Sequence, residues 1–153
     1  MNWIIQKTEK LDFHTNLSEI LNPILKEIES FNWVFSDLDF ISDKELPINY
    51  EQEFFVLTSD EFKEILNSDT QFIWGAICGF RKDAEIAVDE DNLPYAEGND
   101  LIWKNGNFQI PNSTIEIMAV DSSFTIIKFK DKNLSDIFKN YFNEAIELEN
   151  FNS

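Results

Sequence analysis

The chain has 153 residues, with 12 Lys or Arg against 29 Asp or Glu, a net charge of −17 that argues against nucleic acid or anionic lipid as the partner. Hydrophobic residues make up 43% and aromatics 14%, with only four Gly and four Pro, so disordered and collagen-like chains are excluded and one domain with a sizeable core is expected, residues 1–153. No apolar run nears the length of a membrane span, and the opening MNWIIQKTEKLDFHTN lacks the basic-then-apolar order of a signal peptide.

Trp3-Ile4-Ile5 reads as an edge or leading strand. Thr15 or Asn16 then caps a helix whose apolar positions are Leu17, Ile20, Leu21, Ile24, Leu25 and Ile28, a stripe at helical spacing. Pro23 disturbs this helix, which is expected to run through about Ser30. NWVFSDLDF (32–40) is an aromatic-rich strand, 42–49 a loop interrupted by Pro47, and 52–57 the next strand. Thr58 with Glu61 three residues on is a capping box, opening a short helix that carries Phe62, Ile65 and Leu66. QFIWGAICGF (71–80) is a continuous apolar run, read as the central strand covered on both faces, with Gly75 and Gly79 admitting a close neighbour.

Residues 84–88 read as a brief strand pairing back. Asn105-Gly106 is a hairpin-turn signal, with Leu101–Trp103 and Phe108–Ile110 as its arms. From Thr114 onward the pattern sharpens. Ile115, Ile117 and Ala119 alternate with Glu116 and Met118 as in a half-buried strand, and Asp121-Ser122-Ser123 turns the chain. Thr125, Ile127 and Phe129 alternate with Ile126, Lys128 and Lys130, and a helix follows with Leu134, Ile137, Phe138, Tyr141, Phe142 and Ala145 on one stripe. This ββα unit is the expected scaffold, and residues 147–153 a frayed tail. The fold class predicted is α+β: an antiparallel or mixed sheet with two long amphipathic helices packed on one face.

Motifs for chemistry are few. With one His (His14) and one Cys (Cys78), no structural zinc cluster forms and no internal disulfide is possible, which suits a reducing cytoplasm. Cys78 lies among Ile77, Gly79 and Phe80, as a buried core thiol does. Asp89-Glu90-Asp91-Asn92 lacks the sixth-position Gly and twelfth-position Glu of a calcium loop. No G-x-S-x-G, no phosphate-binding glycine motif and no dinucleotide fingerprint occurs. Close carboxylate pairs are inevitable among so many acids and carry little information. The expectation is a non-catalytic protein with no cofactor and no metal.

The placement of charge is more informative. Glu29 to Glu61 holds nine acids and one base, Lys44, while Asp83 to Trp103 holds seven acids and no base. Thr114 to Phe142 is balanced, with four of each. The acidic segments also carry aromatics. Trp33 and Phe35 are expected to face the core, and Tyr95 and Trp103, flanked by turn residues, to be exposed. Carboxylates that steer a cationic partner beside rings that bury on contact are what a binder of a basic protein presents. The partner-binding set predicted on this basis is Asp37, Asp39, Asp43, Glu45, Asp89, Glu90, Asp91, Tyr95 and Trp103. Two alternatives are a small-molecule or peptide pocket lined by Trp74, Phe80 and Trp103, and a general acidic interaction domain.

In its NWVFSDLDF strand, its DEDNLPYAEGND loop and its VDSSFTIIKFKDKNLSDIF hairpin-helix, this small acidic chain resembles the immunity proteins of bacterial toxin systems. The last piece also resembles the end of an uncharacterised bacterial domain family of similar length. The likeness covers composition and layout and fixes no residue. It implies an inhibitor that occupies, or blocks from beside, the basic substrate cleft of a protein toxin such as a nuclease.

Overall fold

Alternating apolar runs account for the sheet that dominates the chain. In the computed structural model, which describes residues 1–6 and 8–151, the strands are β1 (Asn2–Ile5), β2 (Asn32–Ser42), β3 (Phe54–Leu57), β4 (Thr70–Phe80), β5 (Ile115–Val120), β6 (Phe124–Phe129) and β7 (Ile146–Glu147). They form one seven-stranded sheet in the order β3-β2-β4-β5-β6-β1-β7, with every neighbouring pair antiparallel. Three helices accompany it: α1 (Leu17–Leu21), α2 (Ser59–Leu66) and α3 (Lys132–Tyr141).

The expected pair of long helices on one face is overturned, since the chain is mostly antiparallel sheet with three short helices. Of the stripe from Leu17 to Ile28, Leu17, Ile20, Leu21, Ile24 and Ile28 are buried and Leu25 is half-buried, but α1 spans five residues and gives way to a 3-10 turn at Asn22–Ile24. Pro23 has no N–H to continue the helical ladder, and Asn22 instead donates to Glu19 three residues back. Asn16 is the cap, its side chain accepting from the Glu19 N–H. α3 is likewise shorter than its stripe, stopping at Tyr141 with Phe142 as its C-cap.

The capping box is present: Thr58 Oγ1 accepts from Glu61 N–H at 3.2 Å and Glu61 Oε1 from Thr58 N–H at 3.0 Å. The ββα unit forms as expected, and Phe138 of α3 packs on Phe129 of β6 with ring centroids 5.4 Å apart. β4 lies inside the sheet between β2 and β5. Gly79 has the anticipated close neighbour: a Cβ there would sit 2.7 Å from Cζ3 of Trp33, whose indole stacks on Phe62 of α2.

The two faces of the sheet are covered differently. The helices, with Trp33, Phe35, Ile77, Ile117, Ile127 and Phe129, build the larger core. The opposite face is roofed by the irregular chain between β4 and β5, through Ala84, Ile86, Val88, Ala96, Ile102 and Ile110. The brief strand expected at 84–88 does not form, because β2 and β5 already occupy both edges of β4. Its alternation is real, with Ala84, Ile86 and Val88 packed beside Val34, Cys78 and Phe80, but it lies over the face rather than in the sheet. The hairpin expected about Asn105-Gly106 is also absent. Gly106 makes the turn at φ +78°, while Leu101–Trp103 falls in a 3-10 turn.

This roof makes β5 and β6 buried on both faces rather than half-buried. β1 is not an edge, because β7 pairs outside it through Trp3↔Glu147 and Ile4↔Ile146. The expected frayed tail is therefore ordered through Phe151: Leu148 is buried and Phe151 stacks on Trp103 at 5.9 Å. The last two positions of that tail lie outside the described residues.

Candidate functional site

A bulge in β2 brings the two acidic segments together. Ser36 pairs with Ala76, but the next pair is Asp39 with Trp74, so Asp37 and Leu38 face the single residue Gly75. Gly75 leaves room for Leu38, whose Cδ2 would lie 3.1 Å from any Cβ there. Asp37 takes φ +54°, a left-handed conformation that Asp adopts more readily than bulkier residues. The twist turns its carboxylate toward the roof, where Oδ2 accepts from Ala96 N–H at 2.9 Å and Glu97 N–H at 3.1 Å. Beside it, Ser36 Oγ donates to the Pro94 carbonyl at 2.6 Å. Segments far apart in sequence are thus clamped by three hydrogen bonds.

A groove of about 440 Å³ opens at this clamp, lined by Asp37, Phe40, Tyr50, Glu53, Leu93 and Tyr95 among others. A second, of about 490 Å³, shares Gln52, Glu53 and Leu93 with it and runs past Phe54, Val56 and Glu90. The charged side chains lining both are carboxylates: Asp37, Glu53 and Glu90. A third groove, about 410 Å³ between α1 and α2, has Lys26 and Lys63 with Glu29 and is not anionic. Exposed rings flank the acids. Tyr50 is 65% exposed and stacks beside Phe40, and Tyr95 is 43% exposed.

Of the residues predicted for partner binding, Asp37, Glu90 and Tyr95 meet in these grooves. Asp89 and Asp91 flank Glu90 on an exposed turn, where Asp89 Oδ1 accepts from Asp91 N–H at 3.0 Å. Asp39 is exposed on β2 beyond the bulge. Asp43 is exposed but tied to the start of β4, accepting from Asp69 N–H at 2.9 Å, and Glu45 is exposed in the following loop. Trp103 is exposed as expected, at 38%, yet outside the groove lining: it packs with Phe124 and Phe151 near β6. Trp33 and Phe35 are fully buried, as expected.

Glu53, Tyr50 and Val56 were not in the predicted set. A Glu next to a four-residue apolar strand, with a Tyr in the preceding loop, is the signal that would have found them. The pocket imagined around Trp74, Phe80 and Trp103 is not assembled. Phe80 is buried with Val34, Cys78 and Ile110, while Trp74 packs with a different cluster around Met118 and Ile126.

Beneath the roof lies a feature the sequence reading placed at a solvent-facing position. Glu116 and Lys128 are cross-strand partners on β5 and β6, both fully buried, with Nζ 3.6 Å from Oε1. The Lys128 ammonium also donates to the carbonyls of Leu101, Lys104 and Asn107 at 3.4, 3.0 and 2.9 Å. Three carbonyls curling round one cation explain why this segment forms a turn and not the arms of a hairpin. Glu116 Oε2 accepts from Gln109 N–H at 2.7 Å, while Oε1 has no hydrogen-bond partner. Burial pushes the Glu116 carboxyl above its usual range, against the pull of the Gln109 N–H and the Lys128 charge. Burial likewise draws Lys128 down, opposed by Glu116. Cys78 is a buried thiol, as read, and its pKa is raised by desolvation and then by the Glu116 charge.

Among the described residues no three His, Cys, Asp or Glu side chains converge as a metal site, and no helix is long and apolar enough to cross a membrane. In comparisons with protein-family models, curated proteins and solved structures, the chain matched none.

Proposed function

We propose that this chain is a non-catalytic acidic binding protein that receives a basic protein partner in the groove between the β2–β3 loop and the roof. The observation that carries the reading is the convergence of Asp37, Glu53 and Glu90 beside Tyr50 and Tyr95. Two segments rich in acid were separate in sequence; the Asp37 and Ser36 hydrogen bonds draw them to one place. A concave surface of one sign concentrates the field and raises the encounter rate with a cation, while part-exposed rings supply area to desolvate on contact. An immunity-type inhibitor of a cationic toxin is the specific form of this reading that the resemblance in layout suggests.

The test compares two variants as bait in the source cell's extract. One neutralises the groove and its turn (Glu53→Gln, Asp89→Asn, Glu90→Gln, Asp91→Asn). The other neutralises exposed acids elsewhere (Glu27→Gln, Glu29→Gln, Glu64→Gln). A cationic protein that the wild type and the second variant retain, that salt elutes, and that the groove variant loses supports the reading. Equal retention by both variants refutes it.

A further inference from the structure

We propose that the basic partner enters as an extended segment that pairs with the free edge of β3 and becomes an eighth strand of the sheet. The proposal deepens the groove reading above and rests on it. β3 ends the sheet, pairing on one side with β2 from Trp33↔Leu57 to Ser36↔Phe54. Among the described residues no further hydrogen bond reaches Phe54, Phe55, Val56 or Leu57. Outward N–H and C=O groups on such an edge are a ready template for another strand.

Edges of this kind are commonly blunted by short length, Lys, Pro or a bulge; β3 is short, at four residues, but FFVL at 54–57 holds no Lys, Pro or bulge. It is bracketed instead by acids: Glu51 and Glu53 before it, Asp60 and Glu61 after it. That choice selects the occupant. A second copy of the chain brings another −17 charge and is repelled, whereas a strand bearing Lys or Arg is drawn in. The side chains agree. Val56 is 52% exposed, and with Phe54 and Leu93 it gives the groove beside the edge an apolar wall between the carboxylates of Glu53 and Glu90. An incoming strand matches both with its backbone on the edge and, on the face it turns to the groove, an apolar side chain against Phe54 and Val56 between cations that meet Glu53 and Glu90.

The probe is the synthetic peptide Lys-Val-Val-Val-Lys with capped ends, which sets Lys, Val and Lys on one face of a strand, beside the same peptide with every backbone amide N-methylated. Both keep the charge; only the first can donate to β3. Affinity at low and high salt is measured with amide hydrogen exchange of residues 54–57. The expected result is salt-sensitive binding of the unmodified peptide, at least about tenfold weaker binding of the methylated one, and slowed exchange at 54–57. Val56→Lys, at an exposed position, should leave the unfolding midpoint unchanged and weaken the unmodified peptide by a similar factor. Equal affinity for both peptides, unslowed exchange at β3, or an unaffected Val56→Lys variant overturns the eighth strand but leaves the acidic-groove reading standing. Failure of both peptides to bind at low salt overturns both. Protection of 54–57 in the protein alone at high salt, with dimer formation, overturns the proposal in favour of a second copy as occupant.

Discussion

Lys128→Met is the sharpest perturbation of the interior. The methionine fills similar volume but removes the charge. It leaves the fully buried Glu116 carboxylate without its cation and three carbonyls without their donor. At 3.6 Å, and with an effective dielectric near 20, the lost attraction is about 5 kcal/mol before desolvation is counted. Removing one member of a buried pair commonly costs about 3–5 kcal/mol, and proton uptake by Glu116 will relieve part of it, so a loss of about 3 kcal/mol is expected. That is a large share of the roughly 5–15 kcal/mol by which such domains are stable. Urea unfolding followed by tryptophan fluorescence reads the loss as a lower midpoint. Hydrogen exchange should quicken first over residues 100–110, whose carbonyls the ammonium gathers. Adding Glu116→Gln to Lys128→Met removes the stranded charge, and the double variant should be less destabilised than the sum of the singles by about 2 kcal/mol. A Lys128→Met protein within about 1 kcal/mol of wild type, or strictly additive singles, would refute the idea that this pair holds the roof.

The raised pKa of Glu116 fixes a pH dependence. Between the ordinary carboxyl pKa of about 4.3 and its higher folded value, the folded state holds a proton that the unfolded state has released. Stability from this group is therefore fully present below the unfolded pKa and lost as pH rises through the folded one. Relative to Glu116→Gln, the wild type should gain in urea midpoint as pH falls from neutral toward the ordinary carboxyl pKa of about 4.3; a constant difference would contradict the assigned direction. Gly79→Ala drives a methyl into the Trp33 indole, which Phe62 backs at 4.1 Å between ring centroids. Overpacking of this kind costs about 1–3 kcal/mol, and an unchanged thermal midpoint would show that the ring can move aside.

Local order was legible where it depends on near neighbours in sequence. The Thr58–Glu61 box, a helix cap at Thr15 or Asn16 and the ββα unit were all readable because caps and alternation act over a few residues. The same reading misjudged lengths and coverings. Six apolar positions from Leu17 to Ile28 announced a buried stripe, but a stripe records which side is buried and not whether the ladder survives Pro23. Strand alternation at Ala84, Ile86 and Val88 was likewise a statement about one buried side, and no sheet edge was free to receive it. At Glu116 and Lys128, a polar residue on alternate positions reads as solvent-facing by alternation alone. Met118 and Val120 share a face with Glu116, and Phe124 and Ile126 with Lys128, and those apolar companions are the sign that both faces were to be covered.

The candidate site shows why composition marked two acidic segments but not their meeting. Asp37 lies 59 and 60 residues from the two backbone amides it binds, and nothing in NWVFSDLDF announces a bulge opposite Gly75. Trp103 shares its segment with Tyr95 yet goes elsewhere, drawn to Phe124 and Phe151. What links groove and interior is Gln109, a residue with no distinguishing context in sequence. Its side chain holds both the N–H and the carbonyl of Tyr95 at 3.0 Å, and its own N–H donates to Glu116 at 2.7 Å. The buried pair therefore orients the residue that fixes one wall of the groove. A charge kept in the core at a cost in stability is understandable if its return is the position of a surface ring.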